Sequence, residues 1–409
     1  MKIFKSADIL LPKPQYLDKW AVVACDQYSS EPAYWDRIEA QVKNLYSTFH
    51  LVLPEAWLNT PKEQEHQQNI RPTMDKYLNE KIFQLFPNSF VYVERTLTNG
   101  MIRQGLVGAL DLEAYDYHCP STAPIRATEA TILERIPARA QIRQDAILEF
   151  PHILLLQNDT QDELFQNIAQ NKEHFKLLYD LDLMANGGHI KGYLITGPNK
   201  ERVEDLLEAY QMRCQQNQGE HPLFYAIGDG NHSLAAARTI WDQLKPTLDK
   251  NMCQTHPARF ALAELENLQH PAQKFEPIHR FIKDVDVTAL LASIPQVDKD
   301  KGYAINYISA QGHGTLYLDP NVSPLPLAVL QKYLDEYLAD HAGVIDYIHG
   351  ELELALLCAA PNSIGFYLPT IDKDSLFETI QQDGSLPRKT FSMGHAQEKR
   401  FYMEGKMLQ

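Results

Sequence analysis

The stretch Leu223–Leu244, LFYAIGDGNHSLAAARTIWDQL, runs from a cluster of strand formers through Gly228-Asp229-Gly230-Asn231-His232-Ser233 into a helix. A plain glycine turn would join the two elements equally well. The added Asp, Asn, His and Ser therefore ask for a chemical reason, because strand-to-helix turns are where α/β proteins place phosphates and catalytic groups. The two glycines allow positive φ or close backbone approach, and HSLAAARTI starts a helix with small residues on one face. The N–H groups of that first turn carry partial positive charge and suit a phosphate or carboxylate. Asp229 could orient a metal or a hydroxyl, and His232 could act as acid, base or anion donor. The plainer alternative is that Asp229, Asn231 or Ser233 caps the helix and His232 fills a polar niche. Spacing alone leaves both readings open, since the block is no Walker loop.

Working outward, the surrounding pattern alternates. ARAQIRQDAILEF reads as helix, HILLLQND as strand, TQDELFQNIAQNKEHF as helix and KLLYDLDL as strand. HIKGYLIT, the helix NKERVEDLLEAYQMRCQQN, the opening stretch and the strand RFALAELEN follow. The pattern predicts a mixed α/β (α+β) chain with the turn inside a strand–helix–strand unit. Toward the N-terminus, Trp20–Ala24 reads as a buried strand, Ser30 as the cap of the helix that begins EPAYW, and 61–85 as helix broken at Pro72. Asn99-Gly100 signals a hairpin over 90–111. A second hairpin lies in YAINYISAQGHGTLYLDP and a helix in VLQKYLDEYLADH. Three closely packed regions are expected: 1–136 α+β with the hairpin, 137–270 α/β with the turn, and 271–409 α+β.

The 409 residues carry a net charge of -15, which argues against a sequence-independent grip on nucleic acid. A local basic pocket for a small anion remains compatible with it. Cys25, Cys119, Cys214, Cys253 and Cys358 show neither CxxC pairing nor zinc spacing and read as reduced thiols. No run of about 18 apolar residues appears, so a soluble cytoplasmic protein with no membrane partner is expected. HExxH, GxSxG, GxGxxG after the first strand and GxxxxGK[ST] are all absent.

Basic residues cluster elsewhere. IRATEATILERIPARAQIR holds Arg126, Arg135, Arg139 and Arg143 with Glu129 and Glu134, a set that could fork a phosphate. Pro137 interrupts it, and a solvated helix paired with Asp145 and Glu149 is the alternative. FEPIHRFI carries His279 and Arg280. LPRKTFSMGHAQEKRFYMEGK carries Arg388, Lys389, Thr390, Ser392, His395, Lys399 and Arg400, either as an anion pocket or as a charged surface tail.

The ordered blocks KWAVVACDQYSSEPAYW, IRATEATILERIPAR, LMANGGHIKGY, AIGDGNHSLAAA, HPARFALAELEN, FEPIHR, YIHG and LPRKTFSMGHAQEKRFYME, spread over nearly the whole chain, resemble domain-of-unknown-function family 1015. Within them the Asp229-Gly230-Asn231-His232 block is similar to the DGHHR motif of ParB/sulfiredoxin-like domains, a superfamily that includes free-serine kinases. That resemblance implies a ParB/sulfiredoxin-like core, with the strand–DGNH turn–helix elaborated by N- and C-terminal α/β segments. It also implies that Gly230, Asn231 and Ser233 cradle nucleotide phosphates. The arginine that usually ends the motif is Ser233 here, so Arg126 or Arg135 would have to clamp the phosphate. The catalytic carboxylate it implies lies on an earlier segment, Glu129 first and Asp26 second.

The reading that results is a phosphotransfer enzyme, in the kinase or phosphatase direction, acting on a small hydroxyl metabolite, serine or phosphoserine being the sharpest choice. Glu129, Asp229 and His232 are its catalytic residues. Gly230, Asn231, Ser233, Arg126, Arg135, His279, Arg280, Arg388 and Lys389 bind phosphate or substrate. Mg²⁺ on Asp229 and ATP, ADP or another phosphate donor complete it. Its partners are a small anionic substrate or nucleotide, not nucleic acid; a homodimer stays open. Two alternatives stand beside it: a nucleotide-binding regulatory module without turnover, and a metal-dependent hydrolase using Asp229, His232 and His279.

Overall fold

The computed structural model describes residues 2–118, 120–129, 131, 133, 136–387 and 389–409. Arg135 and Arg388 lie outside the described residues, as do Cys119 and Glu134. The described chain is mixed α/β and forms two compact units. The first comprises Met1–Gln273 and Gly394–Gln409, the second Lys274–Met393. The first unit thus holds both of the regions expected over 1–136 and 137–270, together with the last residues of the chain.

The first unit is built on one sheet of eleven strands among the described residues. An interior strand, Leu154–Gln157, has the sequence LLLQ, apolar at consecutive positions because both faces are covered. On one side it pairs antiparallel with Tyr225–Asp229, which pairs parallel with Ile125–Ala127. On the other it pairs parallel with Phe260–Asn267, followed by Ile102–Asp111 and Phe83–Thr96. Those last two are the arms of the Asn99-Gly100 hairpin, closed by Leu97 and Met101 with Gly100 at φ 80.

Helices Glu163–Asn171, Gly197–Gln218 and Asn231–Leu244 cover one face through residues such as Phe165, Leu207 and Trp241. Helices Pro32–Val42 and Pro61–Asn79 cover the other around Trp20, Trp35 and Met74. The strand–helix–strand unit expected around the turn is therefore not a simple crossover. Tyr225–Asp229 and Phe260–Asn267 flank Leu154–Gln157 and run antiparallel to one another.

Local expectations fail in instructive places. Pro72 sits inside the unbroken helix Pro61–Asn79, whose buried Ile70, Met74 and Tyr77 hold it to the core despite one missing N–H. That helix stops at Asn79, and Leu85 belongs to the strand Phe83–Thr96. The cap of helix Pro32–Val42 is Glu31, not Ser30, because Pro32 takes the first helical position. Trp20–Ala24 is buried but forms no strand: Trp20 lies in a turn, and the backbone of 22–24 pairs with the C-terminal tail, Tyr402 N–H to Val22 O at 2.9 Å and Ala24 N–H to Arg400 O at 2.9 Å.

The second unit carries a six-stranded sheet whose central strands include Phe275–Lys283 and Ser363–Tyr367. Helices Val287–Ser293 and Pro326–Asp340 pack on it around Leu290, Leu330 and Phe366. No helix among the described residues is long and apolar enough to cross a membrane.

Candidate functional site

Strand Tyr225–Asp229 ends on the carboxylate of Asp229, and helix Asn231–Leu244 begins two residues later. Gly230 makes that corner with φ 85, in the left-handed region. A Cβ there would lie 3.1 Å from the Ile153 Cα and 3.5 Å from the His152 ring. Glycine is thus required twice, once by conformation and once by close approach. As helix cap it offers no side-chain acceptor of its own, and the expected cap Asn231 leaves its Oδ1 without a hydrogen bond.

Two polar atoms at the corner, Asp229 Oδ2 and Asn231 Oδ1, are buried without a hydrogen-bond partner. Asp229 instead faces Lys399, whose ammonium lies 3.6 Å from Oδ2, an ion pair without a hydrogen bond. Its other oxygen accepts the Gly230 N–H at 3.1 Å. Lys399 is 5% exposed.

The tail reaches the corner because the backbone of 400–402 pairs with 22–24, which also sets Asp26 and Tyr402 beside it. Tyr402 and the His152 Nδ1 share a hydrogen bond of 2.9 Å, while Cys25 N–H donates to the Tyr402 hydroxyl at 3.0 Å. The opposite ring nitrogen, Nε2, is 3.8 Å from Asp26 Oδ2. Burial alone would raise the Asp26 carboxyl, but the His152 ring, the Gln27 amide, Lys399 and Arg139 together hold it below the usual range. Burial lifts the Cys25 thiol to about 11, which removes it as a nucleophile near neutrality.

The same seam continues under the tail. Arg400 meets Glu264 at 3.2 Å and Glu404 at 2.8 Å, and Tyr179 donates to Glu404. Gly105 and Gly192 leave the room for the Glu264 and Tyr179 side chains, which explains glycine in the middle of two strands. Arg103 lies 2.9 Å from Glu266, whose carboxyl burial pushes up to about 7 against the pull of Arg103.

The expected site residues separate into groups. Asp229, Gly230, Asn231, His232 and Ser233 form the corner itself. Glu129 belongs near it: the parallel register pairs Ile227 with Ala127, so Glu129 and Asp229 each lie two residues past the last pair at one strand end. Thr128 holds that end by donating to Ile227 O at 2.7 Å.

Arg126 has its guanidinium engaged by the protein's own backbone. It is 5% exposed, and its guanidinium donates to the carbonyls of Ala123 (2.8 Å) and His221 (2.9 Å). Arg280 is fully buried in the second unit and donates to Gln331, Ile278 O and Lys389 O, so its fork is occupied by the protein. His279 is also buried; its Nδ1 accepts the Leu368 N–H at 3.1 Å, and burial lowers its pKa, keeping it neutral. Lys389 is exposed, with φ 56, in that same unit.

Pro137 proves harmless because helix Ile136–Gln144 has it in the first turn, leaving Arg139 and Arg143 four apart. Ala140 packs against Ala235 and Ala236, bringing the two helices together. Arg139 pairs with Glu55, and Arg143 with Glu149 at 2.7 Å.

Sequence reasoning missed His152 and left Lys399 between an anion pocket and a surface tail. A histidine directly before an all-apolar strand, and a lysine in a tail dense with aromatics, were the available signals.

No group of three or more His, Cys, Asp or Glu among the described residues could hold a metal ion. The metal-dependent hydrolase reading therefore lacks a ligand set there. Asp229, with one oxygen free of hydrogen bonds, fits Mg²⁺ only as an ion shared with bound phosphates.

The profile of a family described as "Protein of unknown function (DUF1015)" matches residues 7–336. No curated protein matches the chain. Among solved structures, a C-terminally truncated SbnI from Staphylococcus aureus is 7% identical with TM-score 0.37, over 70% of this chain and 81% of that one. A free serine kinase in complex with AMP is 11% identical with TM-score 0.38, over 70% and 86%. A conserved hypothetical protein from Pyrococcus furiosus is 11% identical with TM-score 0.35, over 70% and 92%.

Proposed function

The chain belongs to the DUF1015 family, whose description assigns no chemistry, and from the site itself we propose that it transfers a phosphoryl group to or from a small hydroxyl metabolite. One observation carries this reading: a helix N-terminus capped only by glycine's backbone at Gly230, the buried ammonium of Lys399 and the ionised Asp26 beside His152 converge on one corner. The first two favour a phosphate, and the third accepts a hydroxyl proton.

In the kinase direction the acceptor oxygen forms a bond to phosphorus as the anhydride bond of a nucleotide or other phosphoanhydride breaks. The hydroxyl proton passes to Asp26, and the electron pair of the broken bond stays on the leaving phosphate, whose charge Lys399 offsets. His152, held by Tyr402, keeps Asp26 in place and ionised. Asp229 would hold a Mg²⁺ carried in by the phosphates, an ion that neutralises charge between them. Phosphoryl transfer asks mainly for positioning and charge neutralisation, which this arrangement supports. Glu129, at the same strand end, is the second candidate base.

The test is phosphorylated product or released phosphate with ATP, ADP or pyrophosphate, with serine and phosphoserine as the first pair assayed. Lys399→Met should weaken pyrophosphate binding about tenfold or more by calorimetry, with the loss shrinking at high salt. Saturable nucleotide binding without product over hours would favour the regulatory module instead. Unchanged binding in Lys399→Met would remove the phosphate site.

A further inference from the structure

Beside the corner lies a cavity of about 160 Å³ in the first unit. Its end at the corner is polar, formed by Ser233, His152 and Tyr402. Its body is apolar, with Leu51, Leu53, Leu58, Met74, Ile142 and Phe150 among its walls. The charged side chains on it come as neutral pairs, Arg139 with Glu55 and Arg143 with Glu149. A second ionic group on a ligand would find no surplus charge to meet it.

Volume sets the size of what fits. An apolar cavity of about 150 Å³ stays dry and takes a benzene molecule. A zwitterion laid against such walls would lose part of the water around its charges without an ionic partner to replace it.

We propose that this cavity seats the apolar body, of about benzene size, of the hydroxyl compound on which the site acts. The substrate class is then a neutral-bodied aromatic or branched-alkyl alcohol, not serine. The proposal rests on the phosphotransfer reading only for what happens to the hydroxyl; occupancy of the cavity is a separate property. The hydroxyl meets Ser233, His152 and Tyr402, and the ring or branched chain lies among the leucines.

The experiment is calorimetry on the full chain with benzyl alcohol, 3-methylbutanol and serine, each with and without saturating pyrophosphate. Benzyl alcohol should bind at least about tenfold tighter than serine, the discrimination a pocket of this kind gives. Ala146→Leu and Val52→Phe, both on the cavity wall, should each weaken benzyl alcohol about tenfold and leave pyrophosphate affinity unchanged. Variants are compared only where their melting temperature matches the parent, and the wild-type ligand series needs no variant. Serine binding as tightly as benzyl alcohol, or alcohol binding unaffected by both fillings, overturns the proposal. Alcohol binding without any phosphorylated product supports the cavity and removes the phosphotransfer reading alone.

Discussion

Lys399 in the first unit and Arg280 in the second are both buried cations, yet their surroundings differ in kind. Arg280 spends its donors on Gln331 and two backbone carbonyls, on a strand in the middle of a sheet. Lys399 reaches one carboxylate at 3.6 Å without a hydrogen bond, at a helix start whose cap residue is Gly230. A buried charge whose partners are complete holds a fold together. One left short of partners, beside a helix start, is a group that a ligand could complete, which is what the proposed site requires of it. Sequence spacing placed phosphate contacts on both residues' segments; only the accounting of partners separates them.

The sharpest way to break this contrast is Asp26→Asn. If the first unit's corner is a reaction site, turnover should fall about 10²–10⁴-fold while the unfolding midpoint in urea stays near that of the parent. A variant that retains full activity would move the base to Glu129, which Glu129→Gln then tests. Arg280→Ala should do the reverse. Leaving Gln331 and two carbonyls without their donor should cost on the order of 3 kcal/mol of stability, read by urea unfolding, with pyrophosphate affinity of the folded protein unaltered. Smaller is the effect of Gly230→Ala. Positive φ and the 3.1 Å approach to Ile153 predict a loss of about 1–2 kcal/mol, accompanied by weaker pyrophosphate binding. The same substitution at Gly100, also at positive φ but with nothing within 4 Å, should leave pyrophosphate binding intact.

A pH series sharpens the comparison last. The Glu266 carboxyl is raised in the folded state to about 7, by burial first, against an unfolded value of about 4.3. The folded state therefore holds the proton longer, and the stability this residue contributes is complete below about pH 4.3 and lost as pH rises through 7. Glu266→Gln should flatten the fall in unfolding free energy over that window, by at most about 1.4 kcal/mol per pH unit. Asp26 is shifted the other way, so its ionised form and the activity that depends on it should persist to mildly acidic pH and fail only below the usual carboxylate range.

Much of the local structure was legible because it is written in short-range patterns. The corner at 228–233, the Asn99-Gly100 hairpin and the alternation of strands and helices from 154 to 267 need only periodicity and turn chemistry. What escaped was decided by distant chain. Trp20–Ala24 reads as a strand by composition, but its partner is residues 400–402, which no spacing rule links to it. Lys399 and Arg400 stayed open between an anion pocket and a surface tail; their burial follows from Asp229, Glu264 and Glu404 being there to meet them. Arg126 and Arg280 looked like anion forks since sequence shows the guanidinium and hides the carbonyls that occupy it. His152 was invisible for the same reason: its meaning comes from Asp26 and Tyr402, each far away along the chain.

The first unit is interrupted, its closing residues 394–409 separated from the rest by the whole of Lys274–Met393. During vectorial synthesis the glycine corner leaves the ribosome long before the lysine that answers its carboxylate. The ion pair that joins the tail to the corner therefore closes only after the whole of the second unit's chain has been made.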